Sequence, residues 1–245
     1  MKLNTNSNAY TITYATIVVV IVAVVLALVN QGLKPKQEAN IKLDQQKQML
    51  VALNQELGAD PAALYESLVQ DTVKMDKDNK KADIIRFEVD GATKYILRLH
   101  GAGLWGGIGG YLALDEDKNT IFGINFNHES ETPGLGALIV EKPFREQFFG
   151  KKIRNAANEV VSVVVLKKGN KAENGEEQVD AVSGATITST GVSDMLKANL
   201  EEYKEFLDLT PTLSQGEGEE APENVEIIVP EATADGKEPI KEEGE

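Results

Sequence analysis

No charged residue stands between Lys2 and Lys34, and from Ile12 to Val29 the side chains are apolar apart from Thr13, Tyr14 and Thr16 at the leading edge. At about 1.5 Å of rise per residue, about 20 such residues cross a hydrocarbon core of about 30 Å. In lipid a segment must satisfy its own backbone hydrogen bonds. The run is therefore predicted as one transmembrane helix over residues 10–33, behind a short segment 1–9. A cleaved signal sequence fits less well, because the run is longer than the usual apolar core of a signal and only Lys2 precedes it. No convincing small-x-small site follows Leu28.

The rest of the chain divides by composition. Pro211 to Glu245 holds eleven acidic residues and two lysines, so nine of the fourteen net negative charges lie there. With few large apolar residues it cannot offset its ordering entropy, and 210–245 is expected to be an acidic disordered tail, Val225 to Val229 being a brief exception. What remains is roughly 150 to 175 residues, enough for one domain with its own core. No basic stripe with interleaved aromatics is present, which argues against nucleic acid as a partner. The absence of cysteine excludes disulfides, thiolate zinc sites and cysteine-held iron–sulfur clusters within this chain. With only two histidines, no metal site is expected.

Residues 34–80 read as a stalk and membrane-proximal helices. Ile41, Leu43, Leu50 and Leu53 recur at helical spacing, and Asp60-Pro61 restarts a helix with Leu64, Leu68 and Val73 on one side. Residues 81–209 read as the main domain. Ile84 to Val89 and Tyr95 to Leu99 flank an Asp90-Gly91 turn, and Tyr111 to Leu114 and Thr120 to Phe126 flank a second loop, predicting two hairpins. Val140 to Phe149 is predicted as a helix interrupted near Pro143, Val160 to Leu166 as a buried strand, and Ser189 to Leu207 as a long amphipathic helix. Clustered strands with helices at the ends predict an α+β fold, an antiparallel sheet with flanking helices.

Three segments carry the candidate chemistry. In Asp180-Ala181-Val182-Ser183-Gly184-Ala185-Thr186 the last hydroxyl is sterically open, and Thr188, Ser189 or Thr190 is placed to start and cap a helix behind it. The first N–H groups of a helix lack internal partners and favour an anion, so a phosphate on Thr186 suits the place, while a plain cap remains the alternative. Glycines from 101 to 110 let backbone approach a flat ligand, with Leu104 and Trp105 as candidate covers. Thr132-Pro133-Gly134-Leu135-Gly136 reads as a turn, with Glu131 placed to orient it.

Taken together, Asp-x-x-Ser-Gly-Ala-Thr, His100-Gly101-x-Gly103-Leu104-Trp105-Gly106 and Glu131-Thr132-Pro133-Gly134-Leu135-Gly136 resemble the flavinylated membrane proteins of the sodium-translocating NADH:quinone reductase and of the related Rnf electron-transport complex. Leu104-Trp105 favours the C-type proteins of the sodium pump over the G-type proteins of Rnf. The resemblance implies an FMN-binding domain in which FMN is joined by its phosphate to Thr186, with Thr188 the competing acceptor. It further implies that Ser183, Gly184, Ala185, Leu104, Trp105, Glu131, Thr132, Gly134 and Leu135 line the cofactor. A separate flavin transferase would attach FMN from FAD, the Thr hydroxyl taking the phosphorus and AMP leaving, so no catalytic residue is expected in this chain.

The implied role is electron relay within a multi-subunit complex that oxidises NADH and reduces ubiquinone or menaquinone. The glycine run lacks the strand–turn–helix context of a dinucleotide site, so NADH would be oxidised by a different protein of the complex. Lys34, Lys36 and Lys42 follow the span whereas Lys2 precedes it, which by charge alone favours a cytoplasmic domain. The resemblance implies the opposite, a single-pass protein of the bacterial inner membrane with its flavin domain on the periplasmic side, and this is the expectation adopted. Two alternatives stay open: an Rnf-type component of ferredoxin:NAD electron transport, and a non-redox membrane-tethered binding module.

Overall fold

The computed structural model describes residues 7–77, 80–173, 175–209 and 225–228. Of the terminal segments 1–9 and 210–245, only residues 7–9 and 225–228 fall within these, so the expected disorder of the tail lies largely outside the described residues. By contact the chain forms two units, Met1–Gln46 and Lys47–Glu245.

The first unit is helical. Helix α1 is Asn8–Ala52, with Pro35 inside it, and its leading part is long and apolar enough to cross a membrane. Ile12, Tyr14 and the valines, isoleucines and leucines from Ile17 to Val29 are exposed on all sides. A helix apolar all round satisfies itself only in lipid or inside a larger protein.

The second unit takes the last turns of α1, from Lys47, and then helix α2, Pro61–Leu68. Asp60 caps α2 by accepting the Ala63 N–H at 3.1 Å, and Pro61 opens its first turn. Val69 turns the chain extended, and strand β1 is Val69–Lys77. Val73 is therefore not on the apolar side of a helix, as its spacing suggests, but on β1 opposite Ile84. Strands β2, Lys80–Val89, β3, Ala92–Ala102, β4, Gly107–Leu114, and β5, Ile121–His128, follow as the predicted hairpins. Asp90 and Gly91 both take positive φ in the β2–β3 turn. The pairing is antiparallel throughout, in the order β5-β4-β3-β2-β1, and a short C-terminal strand, Val225–Ile228, extends it beyond β1.

Between β5 and the C-terminal helices lie a 3₁₀ turn, Gly136–Val140, helix α3, Lys142–Arg145, and a second 3₁₀ turn, Glu146–Phe148. Pro143 sits in the first turn of α3 rather than interrupting a longer helix. Strand β6 is shorter than expected, Val163–Leu166, and pairs in parallel with β7, Glu177–Asp180, which leads into the Ser-Gly-Ala-Thr segment. Helix α4 is Thr186–Glu202 and α5 is Lys204–Asp208. The expected helix thus starts three residues early and breaks at Tyr203, where φ is −87° and ψ 3°.

Side chains alternate between two buried faces. Leu97, Leu99, Leu112, Leu114, Ile124 and Phe126 pack with Phe144, Phe148, Val192, Leu196, Leu200 and Phe206. On the other face, Phe87, Val89, Ile96, Tyr111 and Ala113 pack with Met49, Ala52, Leu53 and Tyr65. Each large side chain so buried contributes about 1.5–3 kcal/mol, which fixes α4 on one face and the end of α1 on the other.

Candidate functional site

The three motif segments, far apart in sequence, meet at the start of α4. Val182 to Ala185 form a turn closed by the Ala185 N–H donating to the Val182 carbonyl at 3.1 Å. Gly184 has φ +75° there, as the third position of a type II turn requires. A Cβ on Gly184 would lie 2.9 Å from Leu135 Cδ2, so the turn rests against the Thr132–Gly136 loop. That loop is a turn as predicted: the Leu135 N–H donates to the Thr132 carbonyl at 3.1 Å, with Gly134 at φ +76°.

Ala185, not a hydroxyl residue, occupies the cap position of α4, and no side chain caps the helix. The expectation that Thr188, Ser189 or Thr190 caps it is therefore overturned. Ser189 instead turns back to accept the Val182 N–H at 3.2 Å, and Thr190 donates to the Thr186 carbonyl. Among the described residues no acceptor takes the N–H groups of Thr186, Ile187 or Thr188. Thr186 is the first helical residue and is exposed, beside Ile187. Orphan donors at the positive end of the helix are a fit for a phosphate, worth about 0.3–1 kcal/mol by the dipole alone.

Thr188, the other hydroxyl on this turn, is 1% exposed and donates to Glu131 Oε2 at 2.7 Å. Glu131 is itself 3% exposed. Its Oε1 accepts the Trp105 N–H at 2.9 Å, and the Leu104 N–H also donates to the carboxylate. A Cβ on Gly103 would collide with Oε1, and one on Gly136 with Oε2 and the Thr188 hydroxyl, so both glycines are there to let the carboxylate in. Burial alone would push the Glu131 carboxyl up, but the N–H groups of Trp105 and Leu104, the Thr188 hydroxyl and the nearby His128 outweigh it and hold the group below its ordinary range. The Glu131 N–H donates to His128 Nδ1 at 3.3 Å.

Leu104 and Trp105 form the tip of the β3–β4 hairpin, closed by the Gly103 N–H on the Gly106 carbonyl at 2.8 Å. Trp105 is 67% exposed, so this sole tryptophan is not a core residue. Leu135 and Ile187 are exposed as well, Leu135 against the Gly184 turn and Ile187 next to Thr186 in the chain. Glycines on both sides of the tip serve the protein's own packing: a Cβ on Gly101 would lie 2.7 Å from Met195 Cβ of α4, and one on Gly110 would collide with the Asn125 carbonyl of β5.

On the far side of Ser183 lies a groove of about 470 Å³, lined by Leu138, Pro143, Phe144, Ala181 and Val182. The backbone of Asp180 at its edge is clasped by Gln147, whose Oε1 accepts the Asp180 N–H at 2.8 Å. Neither Gln147 nor the inward role of Thr188 has any signature in periodicity, because both depend on contacts far apart in sequence. Among the described residues no group of acidic or histidine side chains is arranged to hold a metal ion.

Residues 103–201 match the model of the FMN-binding domain. The C subunit of the Na(+)-translocating NADH-quinone reductase of Haemophilus ducreyi is 29% identical over 236 residues, 80% of this chain and 91% of that one. Its counterpart in Vibrio alginolyticus is 41% identical over 103 residues, a stretch that spans only 40% of its length. The crystal structure of the corresponding protein from Parabacteroides distasonis superposes with a TM-score of 0.67 at 37% identity, covering 72% of this chain and 97% of that one. The hairpin tip, the turn beside it and the uncapped helix all fall in the matched domain, and the chain belongs to the family of C subunits of the Na(+)-translocating NADH-quinone reductases.

Proposed function

We propose that this chain is a flavoprotein subunit of a sodium-translocating NADH:quinone reductase, carrying FMN as a phosphoester on Thr186. The observation that carries this reading is the contrast between two hydroxyls two residues apart. Thr186 is exposed at the first position of an uncapped helix, whereas Thr188 is sealed beneath it on a carboxylate. A transferase approaching from solvent meets only the first. Attachment forms the bond from Thr186 Oγ to the FMN phosphorus of FAD and breaks the bond from that phosphorus to AMP.

The free N–H groups of Ile187 and Thr188 would hold the phosphate, on the turn made by Ser183, Gly184 and Ala185. Leu104, Trp105 and Leu135 offer apolar cover for a planar ring, and the Thr132–Gly134 turn offers a hydroxyl and backbone groups for its polar edge. Bound there, FMN supplies one- and two-electron redox chemistry, while the protein contributes position, water exclusion and electrostatics. The NADH and quinone sites belong to other proteins of the complex, and this chain relays electrons between a metal centre and another flavin. Residues 10–33 anchor it in the bacterial inner membrane, with 81–209 as the flavin domain on the periplasmic side.

The test is co-expression of the full chain with a flavin transferase, followed by a denaturing gel. Wild type is expected to show a flavin-fluorescent band that Thr186→Ala loses completely and Thr188→Val keeps. A colourless wild type with active transferase would sink the reading.

A further inference from the structure

The family resemblance places Glu131 among the residues lining the cofactor, yet it is almost fully buried and each of its carboxylate oxygens is engaged by the protein. One oxygen takes the Trp105 N–H, with Leu104 also donating to the carboxylate, and the other takes the Thr188 hydroxyl. Behind the tip α4 already packs closely on β3, Gly191 against the Ala102 carbonyl and Met195 against Gly101, so the carboxylate acts at the tip itself, beyond that packing. Leu104 and Trp105 are exposed side chains on a four-residue hairpin tip, and the turn of α4 opposite has no side-chain cap. Hydrogen bonds to an ionised acceptor are about twice as strong as neutral ones, and a buried acceptor has no water to replace a lost donor.

We propose that Glu131 is a positioning residue: its carboxylate pins the Leu104–Trp105 hairpin tip to the first turn of α4, fixing how the tryptophan faces the Thr186 acceptor without itself touching the cofactor. The inference deepens the flavin reading and rests on it for what Trp105 faces, but the pinning is a property of this chain alone. Gly103 and Gly136 fit this role, since each leaves room for one carboxylate oxygen and neither opens a path from Glu131 to solvent.

Trp105 is the only tryptophan in the sequence, so its fluorescence reports this one loop. In the full chain without transferase, time-resolved anisotropy is expected to show a slow, anchored Trp105 in wild type. A fast component should appear in Glu131→Ala and, more weakly, in Glu131→Gln, which keeps the shape but loses the charge. Thr188→Val severs only the helix side of the link and should loosen Trp105 in part, less than Glu131→Ala, which removes both sides. With transferase present, Glu131→Ala should still give a flavin-fluorescent band, because Thr186 is intact, while the visible circular dichroism of the attached flavin is lost.

An unchanged Trp105 anisotropy in a folded Glu131→Ala would overturn the proposal. Should that variant fail to fold, a wild-type signal in Glu131→Gln does the same, as does a Thr188→Val variant that leaves Trp105 at its wild-type value. A colourless wild type would instead remove the flavin reading and leave the anisotropy result standing.

Discussion

At Gly184 the backbone turns with φ +75°, and an added methyl would press on Leu135 Cδ2. Gly184→Ala is therefore expected to destabilise the domain by about 1 kcal/mol or more, by forcing alanine into a left-handed conformation, and to do so without removing the Thr186 hydroxyl. Denaturant unfolding of the variant checks this. Thr186 and Thr188 differ for reasons a sequence cannot display. Both are threonines on one helical turn, but Ala185 takes the cap conformation, so residue 186 points out and residue 188 faces the buried Glu131. The motif spacing singles out the first as the proposed acceptor; only the fold explains why the second is closed.

Helix α4 owes its position to side chains that replace a missing strand. The register of β2 against β3 ends at Ile84 opposite Leu97, leaving the backbone of Arg98 and His100 without a partner on that edge. Asn199 fills the gap, accepting the His100 N–H at 3.2 Å and donating to the His100 carbonyl at 2.8 Å. The Tyr203 hydroxyl does the same for Arg98, at 3.2 and 3.1 Å. Asn199→Ala should cost about 1–3 kcal/mol, since it strands partly buried backbone groups of His100, and calorimetric melting is the measurement that would show it. At this scale the hairpins are legible in the sequence, because β-branched residues alternate around Asp90-Gly91 and a second loop. Strand β7 is not: Glu-Gln-Val-Asp has one buried side chain and owes its conformation to the parallel partner β6. The early start of α4 escapes periodicity for a similar reason, as Ser189 is drawn inward by Val182, seven residues away.

Over the whole molecule, titration should report at both ends of the pH scale on groups that burial or local hydrogen bonds hold away from their ordinary range. Burial pushes the Asp117 carboxyl up, but the Thr120 hydroxyl and the N–H groups of Thr120 and Asn119 more than offset it, so Asp117, like Glu131, titrates below its ordinary range. A depressed carboxyl contributes stability that is complete above its unfolded value, about 4 to 4.5, and is lost as the pH falls through the folded one. Burial chiefly, with Glu66 and Tyr111 beside it, pushes the Tyr65 hydroxyl up to about 12. That contribution is present below pH of about 10 and vanishes as the pH rises towards the raised value. Melting temperature against pH is thus expected to be level near neutrality, to fall in acid less steeply for Glu131→Gln, and to fall in base less steeply for Tyr65→Phe. The apolar N-terminal run and the acidic C-terminal segment are plain from composition, whereas the junction of the three motifs on one carboxylate is not, because its contacts span 26 and 57 residues. The most direct test of the account is the intact mass of the full chain isolated from its own membrane. FMN esterified to Thr186 gives a mass above that of the polypeptide by FMN less one water, carried on the tryptic peptide 172–197 and absent from Thr186→Ala; a mass equal to the amino acids alone would contradict it.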